Sequence, residues 1–253
     1  GGKLGDLFAF KQDHIFKDWD DVKANANNRY DAIGELYGPA AWEALKDKAG
    51  KQPIEPGDVC WADLNNDGVI NNLDRVKVGN LFPTVTGGFS TTLGYKDFSL
   101  YARFDYALGH TLYNDLAARS LGQYQGSFNI IDMVKDSWSE TNQDTDIPKF
   151  YYADQLSKKN ITRSNNGLTA VDNNSSRFYE KGDYLALREI TLTWNLPKKW
   201  INKALMSNAS VYVTGQNLFY ITGYTGVSPE PAVDTTYGQG LDNGRYPTPK
   251  TVL

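Results

Sequence analysis

No apolar run in this sequence exceeds a few residues, whereas a helix needs roughly 20 in succession to cross a bilayer. A helical membrane span is therefore excluded. A spanning barrel is not, because its strands alternate apolar and polar residues and tolerate a mean hydropathy as low as −0.52. Cysteine is nearly absent: Cys60 alone cannot form an internal disulfide, and its thiol reads as buried and passive. The two histidines, His14 and His110, lack neighbouring motifs, so neither a zinc site nor a Ser-His-Asp set is suggested. No Gly-rich phosphate loop follows a strand, and Gly87-Gly88 reads as a bend or bulge at a strand start. Basic clusters are missing too. With 26 basic and 30 acidic residues and a net charge of −4, a nucleic-acid partner is not expected. The chain opens Gly1-Gly2 with no Met, no basic segment and no apolar leader, which reads as a cut boundary and says nothing about export. No carboxylate pair stands out, so no catalytic residue is assigned and no enzyme is expected.

Aromatic residues are abundant at 13%, with 16 Tyr and 6 Trp. This suits interfacial girdles, carbohydrate stacking or ordinary sheet packing equally. Residues 18–26 and 40–49 have helical spacing, and Gly50, Pro53 and Pro56 break the second segment. From Thr84 to Asn114 the pattern changes to period two. Phe89, Leu93 and Tyr95 share a face before Lys96-Asp97. After it Phe98, Leu100, Ala102, Phe104, Tyr106 and Leu108 alternate with Ser99, Tyr101, Arg103, Asp105, Ala107 and Gly109. This predicts a hairpin of two strands with a tight turn. Globular strands average roughly 5–6 residues, and tilted spanning strands need roughly 9–11. The length favours a barrel. Alternation alone cannot separate a lipid face and wet lumen from the two faces of a soluble sandwich.

Residues 110–178 form a long polar connection containing an amphipathic helix predicted at Asn129 to Glu140. A third strand is expected from Asp183 to Leu196. Its apolar parity changes between Leu185/Leu187 and Ile190/Leu192/Trp194, which predicts a β-bulge near Arg188-Glu189. A short connection after Pro197 leads to a fourth strand from Ala209 to Thr222, then a Gly/Pro/Asp-rich loop from 223 to 249 and the start of another strand at 250–253. Long and short connections alternate, as in outer-membrane barrels.

One segment carries recognisable chemistry. Asp63-Leu64-Asn65-Asn66-Asp67-Gly68-Val69-Ile70-Asn71-Asn72-Leu73-Asp74 matches a twelve-residue EF-hand-type loop. Asp63, Asn65, Asp67, the carbonyl of Val69, Asn71 and Asp74 occupy the ligand positions, and Gly68 the sharp turn. Oxygen donors at alternate positions suit a Ca²⁺ ion that takes six to eight hard ligands. Asp74 stands where the longer Glu is usual, as in dockerin-like loops. An unoccupied Asx-rich turn fits the same sequence. A bound Ca²⁺ would be structural.

An ordered series of segments resembles the C-terminal region of the SusC/RagA family of TonB-dependent outer-membrane transporters. It runs from Gly57-Asp58-Val59 and the Asp63–Asp74 loop through Gly87-Gly88-Phe89 and Tyr95-Lys96-Asp97-Phe98-Ser99-Leu100. It continues with Ser176-Arg177-Phe178, Gly182-Asp183-Tyr184-Leu185, Leu187-Arg188 and Leu196-Pro197. Gly215-Gln216-Asn217-Leu218-Phe219, Gly223-Tyr224, Pro229-Glu230 and Tyr246-Pro247 complete it. The likeness covers roughly residues 57–109 and 176–250. It implies an all-β fold, namely the C-terminal strands of a 22-stranded transmembrane β-barrel with long extracellular loops and short helices. It also implies a bacterial outer-membrane location, a lipid bilayer around the barrel, a TonB partner acting through an absent N-terminal region, and a SusD-like surface lipoprotein lid. The cargo would be a large glycan or peptide. In that frame residues 1–83 form an extracellular loop region and 84–253 the barrel strands and their loops, with Tyr101, Arg103 and Asp105 lining the lumen. Two rivals stay open: a secreted Ca²⁺-stabilised β-sandwich acting on or binding carbohydrate, and a dockerin-like module, although dockerins carry the loop twice and one copy is present here.

Overall fold

The computed structural model describes residues 2–25, 29–30, 55–67, 69–70, 72–118, 132–150, 175–204, 206–230, 233–234, 238–239, 241–242 and 251–252. Strands occur at β1 (Asp6–Phe10), β2 (Gln12–Ile15), β3 (Arg29–Tyr30), β4 (Val59–Trp61), β5 (Val69–Ile70), β6 (Arg75–Asn80), β7 (Val85–Tyr95), β8 (Phe98–Leu108) and β9 (Thr111–Asn114). They continue with β10 (Tyr179–Lys181), β11 (Tyr184–Asn195), β12 (Ser210–Thr222), β13 (Val233–Asp234), β14 (Gly238–Gln239), β15 (Leu241–Asp242) and β16 (Thr251–Val252). The chain divides into two compact units, one of residues 1–79 and 113–180, the other of 80–112 and 181–253.

The second unit is built on a five-stranded antiparallel sheet in the order β16-β12-β11-β8-β7. Its four long strands have 11, 11, 12 and 13 residues, the length a tilted bilayer crossing requires. The β7–β8 register runs without interruption from Val85↔Leu108 to Tyr95↔Phe98. Lys96 takes φ 53° in the two-residue turn, the positive φ that tight hairpin turns require. Gly87-Gly88 makes neither bulge nor bend. Gly87 lies opposite Tyr106, and a Cβ there would stand 2.6 Å from the Tyr106 hydroxyl, so glycine makes room for an aromatic ring across the strand pair.

The expected bulge in β11 is present. Leu187 pairs with Phe104 and Glu189 with Arg103, leaving Arg188 as the extra residue. A second irregularity stacks beside it in β12, where Gln216 pairs with Glu189 and Phe219 with Leu187. Asn217 and Leu218 thus stand opposite Arg188 alone, and Asn217 adopts φ 50°. The bulges keep Leu185, Leu187, Ile190, Leu192 and Trp194 on one face with Phe98, Leu100, Phe104, Val211, Val213, Phe219 and Ile221. Much of that face is open: Leu93 is 61% exposed, Val211 58% and Ile221 61%. Near the Lys96-Asp97 turn it ends in aromatics, with Phe98 stacked on Trp194 at 5.9 Å and Trp200 edge-on to Trp194 at 5.8 Å.

The first unit has its own small core. Phe10, Ile15, Val59, Trp61 and Trp138 form one buried cluster; Phe16, Val22 and Cys60 form another, with Trp19 packed against it. Burial of each such side chain contributes roughly 1.5–3 kcal/mol. Helix α1 (Trp19–Ala24) starts where Asp18 accepts hydrogen bonds from the Asp20 and Asp21 N–H groups, a cap worth about 1 kcal/mol. Val22 is its buried anchor. The helix expected at 129–140 is confined, among its described residues, to a 3₁₀ stretch at Asp132–Asp136. Its end has a physical cause. Trp138 N–H donates to the Ile147 carbonyl (2.9 Å) and its indole N–H to the Lys17 carbonyl (3.2 Å), pulling the ring into the core rather than along a helix. Residues 40–49 lie outside the described residues.

Candidate functional site

The polar face of the sheet carries an ionic centre on the bulge. With no β8 residue opposite, Arg188 projects on the side of Asp105 and Tyr220. Its guanidinium contacts both carboxylate oxygens of Asp105, Nη2 donating to Oδ2 at 2.9 Å. It also bonds Glu230, the Tyr220 hydroxyl (3.2 Å) and Asn217 Oδ1 (3.4 Å), and lies over the Tyr220 ring at 5.6 Å. One cation thus joins β8, β11, β12 and the loop following β12. Charge-assisted bonds of this kind are about twice as strong as neutral ones. Tyr101 lies on the same face opposite Thr92 and Thr191, and Thr191 bonds Thr214 at 2.9 Å. Arg103 sits opposite Ser90 and Glu189 and is exposed. Arg103 and Asp105, opposed charges two positions apart, are therefore not each other's partners: Asp105 belongs to Arg188. A cavity of about 460 Å³ is lined by Gly88, Ser90, Arg103, Asp105 and Arg188, among others.

The described part of the Asp63–Asp74 segment is held by side-chain-to-backbone hydrogen bonds. Asp67 N–H donates to Asp63 Oδ1 (3.3 Å) and Asn65 Oδ1 (3.2 Å), and buried Asp74 accepts from Leu64 N–H (2.9 Å). Asn65 Nδ2 donates to Asp67 Oδ2 at 2.8 Å, so two of the expected donors engage each other. Among the described residues no group of three or more acidic, His or Cys side chains is gathered to hold a metal. Val69 lies in β5, paired with Arg29 of β3. Gly68 and Asn71 are outside the described residues.

Four long strands with an open apolar face and a polar face knit by ions are the frame in which the comparisons with known proteins fall. No profile of a known protein family matches the sequence. The chain is 31% identical over 234 residues to TonB-dependent receptor P3 of Formosa agariphila, covering 87% of this chain and 21% of that protein. It is 30% identical over 209 residues to TonB-dependent receptor P26 of the same organism, covering 80% and 19%. The chain belongs to the TonB-dependent receptors. It spans about a fifth of the length of these relatives. The fold is shared with the RagAB peptide transporter (TM-score 0.55, 24% identity, 77% of this chain and 20% of that one). It is shared also with the RagAB peptide importer in its closed-closed state (TM-score 0.60, 20% identity, 98% and 22%).

In this segment the open apolar face is that of barrel strands, and the soluble-sandwich fold is set aside. Arg188 and Glu230 are the ionic residues that the sequence pattern did not single out as a site. A signal was there, since Arg188 stands with Glu189 at the parity change. His110 is 1% exposed, with Nε2 bonded to the Pro229 carbonyl (3.1 Å), and the imidazole fills the space that a side chain at Gly182 would need. Its place is structural. Cys60 is buried, and burial, then Asp13 and Asp21, push its thiol up to about 12.

Proposed function

We propose that this chain supplies part of the wall and outer loops of an outer-membrane importer that takes up a large oligosaccharide or peptide, energised through TonB. The observation that carries the reading is the division of the sheet between an open apolar face and an ion-paired polar face along strands of spanning length. A lipid-facing surface must be apolar and a solvated lumen polar, with every backbone group paired. Tyr101, Arg103 and Asp105 then face the lumen, joined there by Arg188. Phe98, Trp194 and Trp200 mark the periplasmic interface beside the Lys96-Asp97 turn, as barrel girdles do. Residues 1–83, 110–178 and 223–249 lie outside the cell in this reading, and a SusD-like lipoprotein covers the barrel mouth. A Ca²⁺ ion at Asp63–Asp74 would be structural. It would require the Asn65 amide to turn away from Asp67 so that both carbonyl and carboxylate oxygens point inward.

The test is the intact mass of the native polypeptide bearing this sequence. Recovery only with detergent, at several times 28.3 kDa, is the expected result. A freely soluble species near 28.3 kDa would replace the importer by a secreted Ca²⁺-stabilised module.

A further inference from the structure

The fold gathers four lysines that the sequence keeps apart. Lys96 sits in the β7–β8 turn, and Lys198, Lys199 and Lys203 lie in the connection from β11 to β12. The two segments meet: the Asn195 N–H donates to the Asp97 carbonyl at 2.8 Å, and Trp194 pairs with Phe98 across the strands. All four lysines are exposed, and among the described residues none of them makes an ion pair. The Lys96 ammonium lies over the Tyr95 ring at 5.3 Å. Across residues 96–97 and 196–209 the single carboxylate is that of Asp97.

Apolar surface is open beside this charge. The connection contains a helical turn, Lys198–Ile201, in which the Trp200 N–H donates to the Pro197 carbonyl at 2.9 Å. Ile201 is buried, whereas Trp200 is 56% exposed and meets Trp194 edge-on. Met206 is exposed as well. A purely solvated lysine face has no use for a bare indole and thioether. A membrane interface has: the ring takes the headgroup level, and lysine stems run along apolar surface while their ammonium groups reach phosphate.

The kind of headgroup follows from the charge. A zwitterionic lipid carries its own cation beside the phosphate and leaves four ammonium groups unanswered. A net-negative headgroup answers them, and each lysine near such a surface strengthens the attraction roughly fivefold. We propose that Lys96, Lys198, Lys199 and Lys203, with Trp200, form a docking site for an anionic phospholipid at the end of the sheet that bears the Lys96-Asp97 turn. The proposal rests on the barrel-wall reading for which face meets lipid, and adds which lipid is held there.

The experiment uses the full-length protein in phosphatidylcholine vesicles, with a bimane fluorophore on Asn202→Cys, an exposed position between the lysines. Buried Cys60 is poorly reactive, and the parent protein treated with the same reagent gives the background. Quenching is followed with phosphatidylglycerol and, separately, phosphatidylcholine, each carrying a nitroxide high on one acyl chain. The expected result is half-quenching at a roughly tenfold lower mole fraction of the phosphatidylglycerol probe. That preference should vanish in Lys198→Gln/Lys199→Gln/Lys203→Gln and at high salt. Equal quenching by the two probes would overturn the proposal, as would a preference that the triple variant keeps. No quenching by either would overturn it too and leave this surface to a periplasmic protein. A second fluorophore on Leu93→Cys, at a 61% exposed position of the apolar face, separates the failures. If it is quenched while position 202 shows no preference, the lipid site falls and the barrel wall stands. If neither position is quenched, the barrel wall falls with it.

Discussion

Arg188 and Glu230 form an ion pair that fastens the loop after β12 onto the polar face of β11, and the same guanidinium grips Asp105 of β8. Arg188→Ala leaves two carboxylates facing each other without a cation. We expect a loss of about 1.5–3 kcal/mol, the range for hydrogen bonds to charged groups, read as a lower unfolding temperature in detergent. Arg103→Ala, at an exposed position on the same face, should stay within about 0.5 kcal/mol. Equal effects would mean that the pair is incidental.

The two faces of the β7–β8 hairpin should differ in their tolerance of charge. Leu100→Arg or Phe104→Arg on the apolar face should cost roughly 2–4 kcal/mol near the bilayer midplane, and Ser90→Arg or Thr92→Arg on the polar face little. Folding yield into vesicles measures this. Asp105 is a poor control because it is bound to Arg188.

Much of the sheet was legible because strands with one apolar and one polar face obey period two. Phe98 to Leu108 gave the hairpin, and the parity change at Leu187/Ile190 gave the β11 bulge. The β12 irregularity was hidden for a definite reason. Relative to β8 it contains two extra residues, Asn217 and Leu218, and two restore the parity that one would break. Pairings such as Arg188 with Glu230, or the Trp138 indole with Lys17 across 121 positions, leave no local trace. The 3₁₀ turn at 132–136 shows tertiary packing overriding helical spacing.

Gly57 and Gly94 should respond oppositely to alanine. Gly57 has φ 93°, and a Cβ there would lie 2.5 Å from Lys149 Cβ; at Gly94 nothing lies within 4 Å. Gly57→Ala should destabilise the first unit by more than about 1 kcal/mol, whereas Gly94→Ala should be neutral or stabilise by about 0.4–1 kcal/mol. Thermal unfolding followed by tryptophan fluorescence decides between them.

Cys60 sets an alkaline limit. Its folded thiol is pushed from 9.0 up to about 12, mainly by burial. A raised value means that the folded state holds the proton more tightly. This contribution is therefore complete below pH 9 and is lost as pH rises through about 12. Thiolate absorbance should appear only near that upper value, and Cys60→Ala should flatten the alkaline fall in stability. Rapid alkylation at pH 8 in the folded protein would contradict the burial.

The most direct test of the central claim is a nitroxide scan of positions 98 to 106 in vesicles containing the full-length protein. Labels at 98, 100, 102, 104 and 106 should collide preferentially with oxygen, and those at 99, 101, 103 and 105 with a water-soluble nickel complex. A period of two with that phase is what a strand between lipid and lumen requires. Uniform access to the nickel complex at every position would show that no lipid meets this sheet, and the importer reading would fall.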